Sequence, residues 1–472
     1  MKILFVNPPA PPDYYNKEVY LPSALLYLSA VLQENDEEIK ILDLRCPKYE
    51  NLDNPQKHYE EILVNTVSTF QPELIGFGCL FSGNFPQLLK LSIVSKKNFD
   101  KIPIIIGGIH PTIYALEILT NCPFIDYIIL SEGEESIVQF VNTIKNKSSD
   151  FDKIDGFAYR KNSEIIINPK KHFIENPNTI PFPAYNLVNL EDYYVDTSNW
   201  HNPKNLPINT SVPIISSRSC PNRCNFCSMY LAMGPKWRPR TPQNVVDEME
   251  YVYNKYDHRH FSFMDDNMTL NKPRTLEICN QIKNRKLDIQ FETPNGLNIN
   301  TLDEEVLDAM VSAGMVRTYL AIESGSDYIR NKIMRKNLSQ EKIFEITKLV
   351  KKYKQLNVAA FFIIGMPEET WETLMDTYNM IKEINVDRVF LMNLVPFPGT
   401  DVFEQASDDN LLIDTDPDNL YLSDNRYFTK YNHFFLKPYE IEVADLQKFR
   451  IMCEESLPCI KKTGKQSVIE GN

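Results

Sequence analysis

"SRSCPNRCNFC", residues 217–227, places three cysteines within eight residues, at Cys220, Cys224 and Cys227. The spacing is C-x3-C-x2-C. Cysteine thiolates select zinc or iron–sulfur clusters. Structural zinc takes a closed set of four ligands. No fourth cysteine is near, His201 lies 19 residues upstream, and His258 and His260 lie more than 30 downstream. A cubane cluster held by three protein thiolates leaves one iron open. An open iron can chelate a small molecule and pass it one electron. Idle thiols or a zinc site are the plainer alternatives, and dense cysteines in a reducing compartment are seldom idle.

Outward from this loop, residues 213–400 read as a series of strand–helix steps. "VPIISSRS" is a strand that ends at the cysteines, and a helix over 242–256 follows. "HFSFMDDN", "IQFETPNG", "RTYLAIESG", "VAAFFIIGMP" and "RVFLMNLVPFPGT" are further strands, separated by helices at 273–285, 303–313, 339–355 and 369–384. The last of the six steps can lack a regular helix. A closed eight-step barrel needs about 250 residues, so the segment predicts a partial (β/α)6 TIM-type barrel. Barrels place their chemistry at the carboxyl ends of the strands, which is where the cysteine loop falls.

Residues 1–151 alternate nearly continuous apolar runs ("KILFVNPP", "IKILDL", "LIGFGC", "IPIIIGGIHP", "FIDYIILSEGEE") with helical stretches. Runs of that kind are strands buried on both faces, and the alternation predicts a doubly wound, Rossmann-like parallel sheet. Ligands of such sheets bind beyond the strands' carboxyl ends. Residues 152–212 read as a linker with a hairpin around Lys161–Ser163 and a proline-rich extended stretch. Residues 401–472 form a small, mostly helical C-terminal region with a helix near 438–456 and a polar tail expected to be disordered. Its aromatics are weak candidates for the substrate site, Tyr427, Tyr431 and His433 among them; ordinary packing is the blander reading.

The chain has 472 residues, too many for one ordinary core, and its 43% hydrophobic and 24% charged residues fit a globular protein. A net charge of −13 argues against a general nucleic-acid binder. No apolar run reaches the roughly 18 residues of a membrane span. "MKILFVNPPAPPDYY" reads as a strand and not a signal peptide, so the cytoplasm is the expected compartment. Cys46, Cys79, Cys122, Cys279, Cys453 and Cys459 are scattered and read as buried or incidental thiols.

C-x3-C-x2-C with Phe226 before the last cysteine resembles the radical S-adenosylmethionine (SAM) superfamily. The resemblance implies that Cys220, Cys224 and Cys227 hold a 4Fe-4S cluster whose open iron takes SAM, and that one-electron cleavage yields a 5′-deoxyadenosyl radical. It also implies SAM contacts from "FMDDN" (Asp265, Asp266), "AIESGS" (Glu323, Ser324) and "IIGMPEET" (Gly365). A carboxylate suits the SAM ammonium. Taken singly, each of these stretches could be a helix cap or a turn.

A doubly wound domain ahead of such a barrel resembles the cobalamin-binding subgroup. The matching pieces are "NPP" (Asn7, Pro8, Pro9), "GGIHPT" (Gly107, Gly108, His110) and "EGEES" (Glu132, Gly133, Glu134). Glycines would allow backbone to approach a planar corrin closely. One departure is clear. In place of D-x-H-x-x-G after the second strand the chain has "DLRCPK", with Arg45 at the histidine and Lys48 at the glycine position. A lower histidine ligand to cobalt is therefore not expected. The three cofactors implied are a 4Fe-4S cluster, SAM and cobalamin, with a one-electron donor such as flavodoxin or ferredoxin and a small-molecule or natural-product substrate.

The reading that follows is a methyltransferase that alkylates an unactivated carbon through the adenosyl radical and methylcobalamin. The alternatives are a non-methylating radical cyclase, oxidase or rearrangement enzyme, since the anaerobic magnesium-protoporphyrin cyclase shares this layout, and a non-enzymatic cobalamin sensor. Radical SAM methylthiotransferases are set aside, because Cys46, Cys79 and Cys122 fit their extra cluster poorly.

Overall fold

The computed structural model describes residues 1–10, 20–49, 55–80, 82–193, 201–207, 210–384, 386–413, 417–422 and 433–460. The chain divides into two compact units. The first holds residues 1–197 with short later segments at 230–234 and 416–429, and the second holds the rest.

The first unit is built on β1 (Lys2–Asn7), β2 (Glu38–Asp43), β3 (Leu74–Gly78), β4 (Ile104–Gly107) and β5 (Tyr127–Ile129), with α1 (Ser23–Gln33), α2 (Pro55–Phe70), α3 (Phe85–Asn98), α4 (Ile109–Ile113), α5 (Ala115–Asn121) and α6 (Glu134–Lys145) in the connections. The strand order is β2-β1-β3-β4-β5, all parallel. This is the flavodoxin-like doubly wound order, whose ligand crevice opens at the β1/β3 switch point. Alternate residues of β1 serve opposite cores: Leu4 and Val6 pack with Ile75, Phe85 and Ile106, while Ile3 and Phe5 pack with Leu25, Ile105 and Phe140. Two buried faces explain why the sequence shows continuous apolar runs.

The hairpin around Lys161–Ser163 is present as β6 (Phe157–Lys161) and β7 (Glu164–Asn168), turning at Asn162 with φ 58°. It is not a free linker element. β6 pairs antiparallel with β5 and extends the sheet to seven strands, because Phe157 and Tyr159 complete the aromatic packing around Phe140 and Phe151.

In the second unit, β8 (Val212–Ile214) starts a six-stranded sheet, and β9 (Ser217–Arg218) forms a small antiparallel pair with β10 (Arg238–Pro239). β11 (His260–Phe263), β12 (Gln290–Leu297), β13 (Met315–Glu323), β14 (Asn357–Ile364) and β15 (Arg388–Asn393) complete the sheet. Its order is β15-β14-β13-β12-β11-β8, parallel throughout, and β8 and β15 are not paired with each other. This is the open six-strand barrel expected. The connections after the cysteine loop are α7 (Met229–Met233, of which all but Met229 are counted with the first unit), α8 (Pro242–Tyr256), α9 (Lys272–Asn284), α10 (Glu304–Ser312), α11 (Gln340–Val350), α12 (Trp371–Ile384), α13 (Asp401–Asp408) and α14 (Val443–Ser456).

Side-chain caps fix where several of these helices begin. Thr241, Asn271, Asp303, Ser339 and Thr400 each accept a hydrogen bond from a first-turn amide, satisfying a donor the helix leaves open. The sixth step therefore carries a short helix after all, α13. The tail 461–472, Tyr427 and Tyr431 lie outside the described residues.

Candidate functional site

The cysteine loop begins where the first barrel strand breaks. The sequence predicts one strand through 212–219, but Ser216 interrupts it. Its amide and hydroxyl donate to Asp265 at 3.0 and 2.7 Å, and its carbonyl accepts from Arg240 N at 2.9 Å and Arg274 Nη2 at 2.5 Å. Ser217 Oγ also donates to Asp265, at 2.5 Å. Asp265 is thus a buried clamp on the strand that launches the loop, and its carboxylate is spent on that task. This differs from the expected contact to the SAM amine. The adjacent Asp266 is half-buried, and burial followed by the charge of Asp265 raises its pKa to about 6.

Beyond the break, Cys220, Cys224 and Cys227 are free and partly exposed, whereas Cys46, Cys79, Cys122, Cys279 and Cys453 are buried. Cys459 is partly exposed as well. Asn267 Nδ2 donates to Cys220 Sγ at 3.5 Å. Cys227 N donates to Cys224 O at 3.1 Å, which turns the loop back on itself. Burial pushes the Cys227 thiol up to about 11 and raises Cys224 too. The far end of the loop is tied down by Val402 N, which donates to Asn225 O at 3.1 Å, and by Phe226, packed against the apolar cluster that includes Ile363, Met366 and Leu394.

Among the described residues no three His, Cys, Asp or Glu side chains converge on one metal ion. His201 Nε2 is bonded to Gln355 O and His260 lies 3.8 Å from Glu292, so neither supplies a fourth ligand. Three soft thiols without a converging fourth donor fit a multi-iron cluster, in which each thiolate meets a different iron, and do not fit zinc.

Farther along the sheet, beyond β11 and β12, come the ends of β13 and β14. Glu323 closes β13 in a left-handed conformation, φ 73°, and its Oε1 lies 3.2 Å from Lys336 Nζ. Ser324 is fully buried; its hydroxyl accepts from Ser326 N at 3.2 Å and stands 3.4 Å from Thr377 Oγ1. Gly325 admits α12, since a Cβ there would fall 2.4 Å from Thr377 Cα. Arg330, wholly buried, binds the carbonyls of Ser324, Gly325 and Leu338. Its Nη2 also pairs with Asp327 at 3.0 Å; spacing gave no signal for Arg330, because the partners that bury it are backbone carbonyls.

Gly365, with φ 95°, follows β14. Its amide and that of Met366 donate to Glu369 Oε2 at 2.6 and 3.1 Å. Glu369 is fully buried, its Oε1 has no hydrogen-bond partner among the described residues, and burial raises its pKa to about 7. The C-terminal candidate His433 lies beside the end of β15, where Asn393 Nδ2 donates to its carbonyl at 2.9 Å.

The first unit treats its candidates differently. Asn7 Nδ2 donates to Asp43 Oδ1 at 2.8 Å, and Tyr193 OH donates to Asp43 Oδ2 at 2.8 Å. Cys46 Sγ and Lys48 both reach Asp192. The stretch that stands where a cobalt-ligating histidine would be is committed to internal bonds. Pro8 and Pro9 are buried. His110 is fully buried between Phe85 and Tyr114, with Nδ1 3.0 Å from Ser82 Oγ and Nε2 2.8 Å from Tyr421 O. Burial drops its pKa to about 3. Both nitrogens are used, so His110 is a structural residue and not a corrin contact.

Gly108 is also required by the protein itself: at φ 130°, a Cβ would lie 2.0 Å from Cys79 O. Gly107 is another matter. A Cβ there would meet only ordinary contacts, the nearest 3.6 Å away at Ile129 O, so internal packing does not demand glycine. Glu132 accepts from Ile174 N at 3.0 Å, Gly133 precedes α6, and Glu134 is buried in its first turn. The β3–β4 edge therefore offers bare backbone at Gly107, the half-exposed apolar Leu80, and the buried Gln87, whose Oε1 has no partner among the described residues. That edge fits a broad planar ligand bound through backbone and shape.

The family profile described as Radical SAM superfamily matches residues 214–381, and that described as B12 binding domain matches residues 17–141. The chain joins a B12-binding domain to a radical SAM domain. A radical SAM domain implies a 4Fe-4S cluster and SAM, and a B12-binding domain implies cobalamin. An uncharacterized methyltransferase of Pyrococcus horikoshii is 28% identical over 417 residues, 88% of this chain and 84% of that protein. The anaerobic magnesium-protoporphyrin IX monomethyl ester cyclase of Rubrivivax gelatinosus is 26% identical over 353 residues, 74% of this chain and 61% of that protein. Among solved structures, the radical SAM methyltransferase TsrM of Kitasatospora setae, with cobalamin and a [4Fe-4S] cluster bound, aligns with a TM-score of 0.69 at 17% identity, over 88% of this chain and 76% of that one. It was also solved with a tryptophan substrate and a SAM analogue. Among the described residues no helix is long and apolar enough to cross a membrane.

Proposed function

We propose that this radical SAM enzyme is a cobalamin-dependent C-methyltransferase acting on a small molecule. The observation that carries the reading is the pairing, on one chain, of a B12-binding domain with a barrel whose loop supplies only three thiols. When bound, the cluster and SAM supply a carbon-centred radical and the corrin supplies a methyl group.

In this reading residues 1–151, extended by the β6–β7 hairpin, form the corrin domain, the rest of 152–212 is the connection, 213–400 is the radical barrel and 401–472 is a C-terminal region. Cys220, Cys224 and Cys227 hold the cluster. Asp266 receives the SAM ammonium, and Asp265 acts behind it by fixing Ser216 and Ser217. Glu323 and the Gly365 backbone flank the cofactor, while Ser324 and Glu369 shape those two strand ends. In the B12-binding domain Gly107 and the Glu132–Glu134 turn line the corrin edge, and Pro8 and Pro9 form its floor. The substrate is a small molecule, as tryptophan is for the Kitasatospora enzyme. A low-potential donor such as flavodoxin or ferredoxin supplies the electron, and the protein works in the cytoplasm.

The test is anaerobic turnover with methyl-labelled SAM and candidate substrates. Label appearing in the product carbon skeleton is the expected result. A product formed without labelled methyl would favour the second reading, a radical cyclase, which the similarity to the magnesium-protoporphyrin cyclase supports.

A further inference from the structure

The last three strands of the barrel bury one face and leave the other partly open. Leu320 and Ile322 of β13, Phe362 and Ile364 of β14, and Val389 and Leu391 of β15 are 0–2% exposed. Side chains alternate across a strand. Their neighbours Arg317, Tyr319, Phe361, Arg388, Phe390 and Met392 therefore share the opposite, inner face, and all six are half-buried. Three rings form a layer there. Tyr319 and Phe361 stack with centroids 5.1 Å apart and planes 12° from parallel, and Phe390 lies 5.7 Å from each. Gly296, at the bulged end of β12, extends the layer: a Cβ there would meet Phe361 Cε2 at 3.4 Å.

Arg388 stands at the edge of these rings, with its guanidinium carbon 4.3 Å from the Phe390 centroid. Its Nε is buried without a hydrogen-bond partner, and no carboxylate pairs with it, among the described residues. Arg317, the other guanidinium on this face, has Glu292 at 3.5 Å. The contact with Phe390 offsets part of the cost of holding Arg388 away from water. The rest calls for an anion, and a carboxylate suits a guanidinium best because it meets two parallel N–H groups.

The layer is also continuous with the cysteine loop. Two residues beyond Phe361 and Phe390, on the same face, stand Ile363 and Met392, which lie opposite each other in the ladder. Both belong to the apolar cluster that Phe226 joins. Two strand residues span about 7 Å, so the rings lie one side-chain layer below the residues that meet the loop.

We propose that this inner face is the substrate subsite and takes a planar aromatic carboxylate, with its ring against Phe361 and Phe390 and its carboxylate on Arg388. The inference rests on the proposed function and names the substrate class for that barrel.

The test is calorimetric binding of indoleacetate to the full-length anaerobic protein, with indoleacetamide and cyclohexylacetate as the uncharged and the non-planar controls. The parent is expected to bind indoleacetate about tenfold more tightly than either control, the size of one charge-assisted hydrogen bond. Arg388→Gln should remove that advantage while leaving indoleacetamide binding unchanged, which also shows that the variant is folded. Arg388→Lys should keep part of the advantage, and Phe390→Leu should weaken both indole compounds. No saturable binding of indoleacetate, equal affinity for its amide, or binding that neither substitution alters would overturn the proposal. So would an equal loss of both indole compounds in Arg388→Gln. None of these measurements needs turnover. A product lacking labelled methyl would overturn the methyl-transfer reading and leave the subsite standing.

Discussion

The two sheets present the carboxyl edges of their parallel strands in opposite ways. In the B12-binding domain nearly every polar candidate is already satisfied from within: Asn7 by Asp43, Glu132 by Ile174, and His110 by Ser82 and Tyr421. What it leaves open is backbone at Gly107 and apolar surface at Leu80. In the radical SAM domain the edge keeps its thiols partly exposed, and the internal bonds serve the residues behind them, Ser216, Ser324 and Gly365. A large organic ligand can be held by shape and many weak contacts, whereas a cluster needs a few specific donors kept apart. The same strand-end geometry serves both because side chains, and not the fold, decide what is offered.

The largest effect should separate the edges completely. Alanine at Cys220, Cys224 and Cys227 together is expected to abolish the cluster absorbance and SAM cleavage. Cobalamin binding by the other domain should persist, as read by the visible spectrum of the anaerobic protein. Corrin binding that disappeared along with the cluster would break the idea that the edges act independently. Next, Gly108→Ala forces a Cβ onto Cys79 O. It should cost about 3 kcal/mol, seen as a lower denaturant midpoint, while Gly107→Ala leaves stability nearly unchanged and weakens cobalamin binding. That contrast within one dipeptide would tell a glycine needed by the protein from one needed by the ligand.

Much of this was legible in the sequence, and the reasons are physical. Apolar runs announced strands buried on two faces, and caps such as Thr241 and Asp303 announced helix starts within a residue or two. The cysteine spacing announced the loop. Three things were not legible. The strand through 212–219 looked continuous, yet Asp265 and Arg274, some 50 residues on, capture the Ser216 backbone and break it. The helix expected over 339–355 stops at Val350, where Lys352 N and Tyr353 N bond the last carbonyls and Tyr353 OH reaches Asp308. His110 looked like a ligand contact, because a histidine demanded by a core carbonyl reads the same in sequence as one that meets a ligand. Each miss involves a long-range partner.

Glu369 sharpens the comparison at the second edge. Its carboxyl is held protonated to about pH 7 by burial, against an ordinary value of 4.5. The folded protein therefore keeps a proton that the unfolded chain releases. Stability from this group is full below about pH 4.5 and is lost as pH rises through 7, by about 3 kcal/mol in all. Glu369→Gln mimics the protonated form, so its unfolding free energy should not fall in that window while the parent's does. Urea denaturation at pH 5 and pH 8 checks this, and parallel declines in both proteins would remove Glu369 as the source.

The smallest effect bears on the first edge. His110→Phe leaves the Tyr421 carbonyl and the Ser82 hydroxyl without their ring partner, but it keeps an aromatic ring between Phe85 and Tyr114. The expected cost is about 1–3 kcal/mol, that of leaving buried polar groups unpaired. Because neither nitrogen is available to cobalt, the visible spectrum of bound cobalamin should be the same in the variant and the parent at every pH from 5 to 9. A spectral change that appeared only in the variant would make His110 a ligand after all. The first edge would then resemble the second, with a specific donor at its centre, and the contrast between shape and donors would fail at the position where it is most exposed to test.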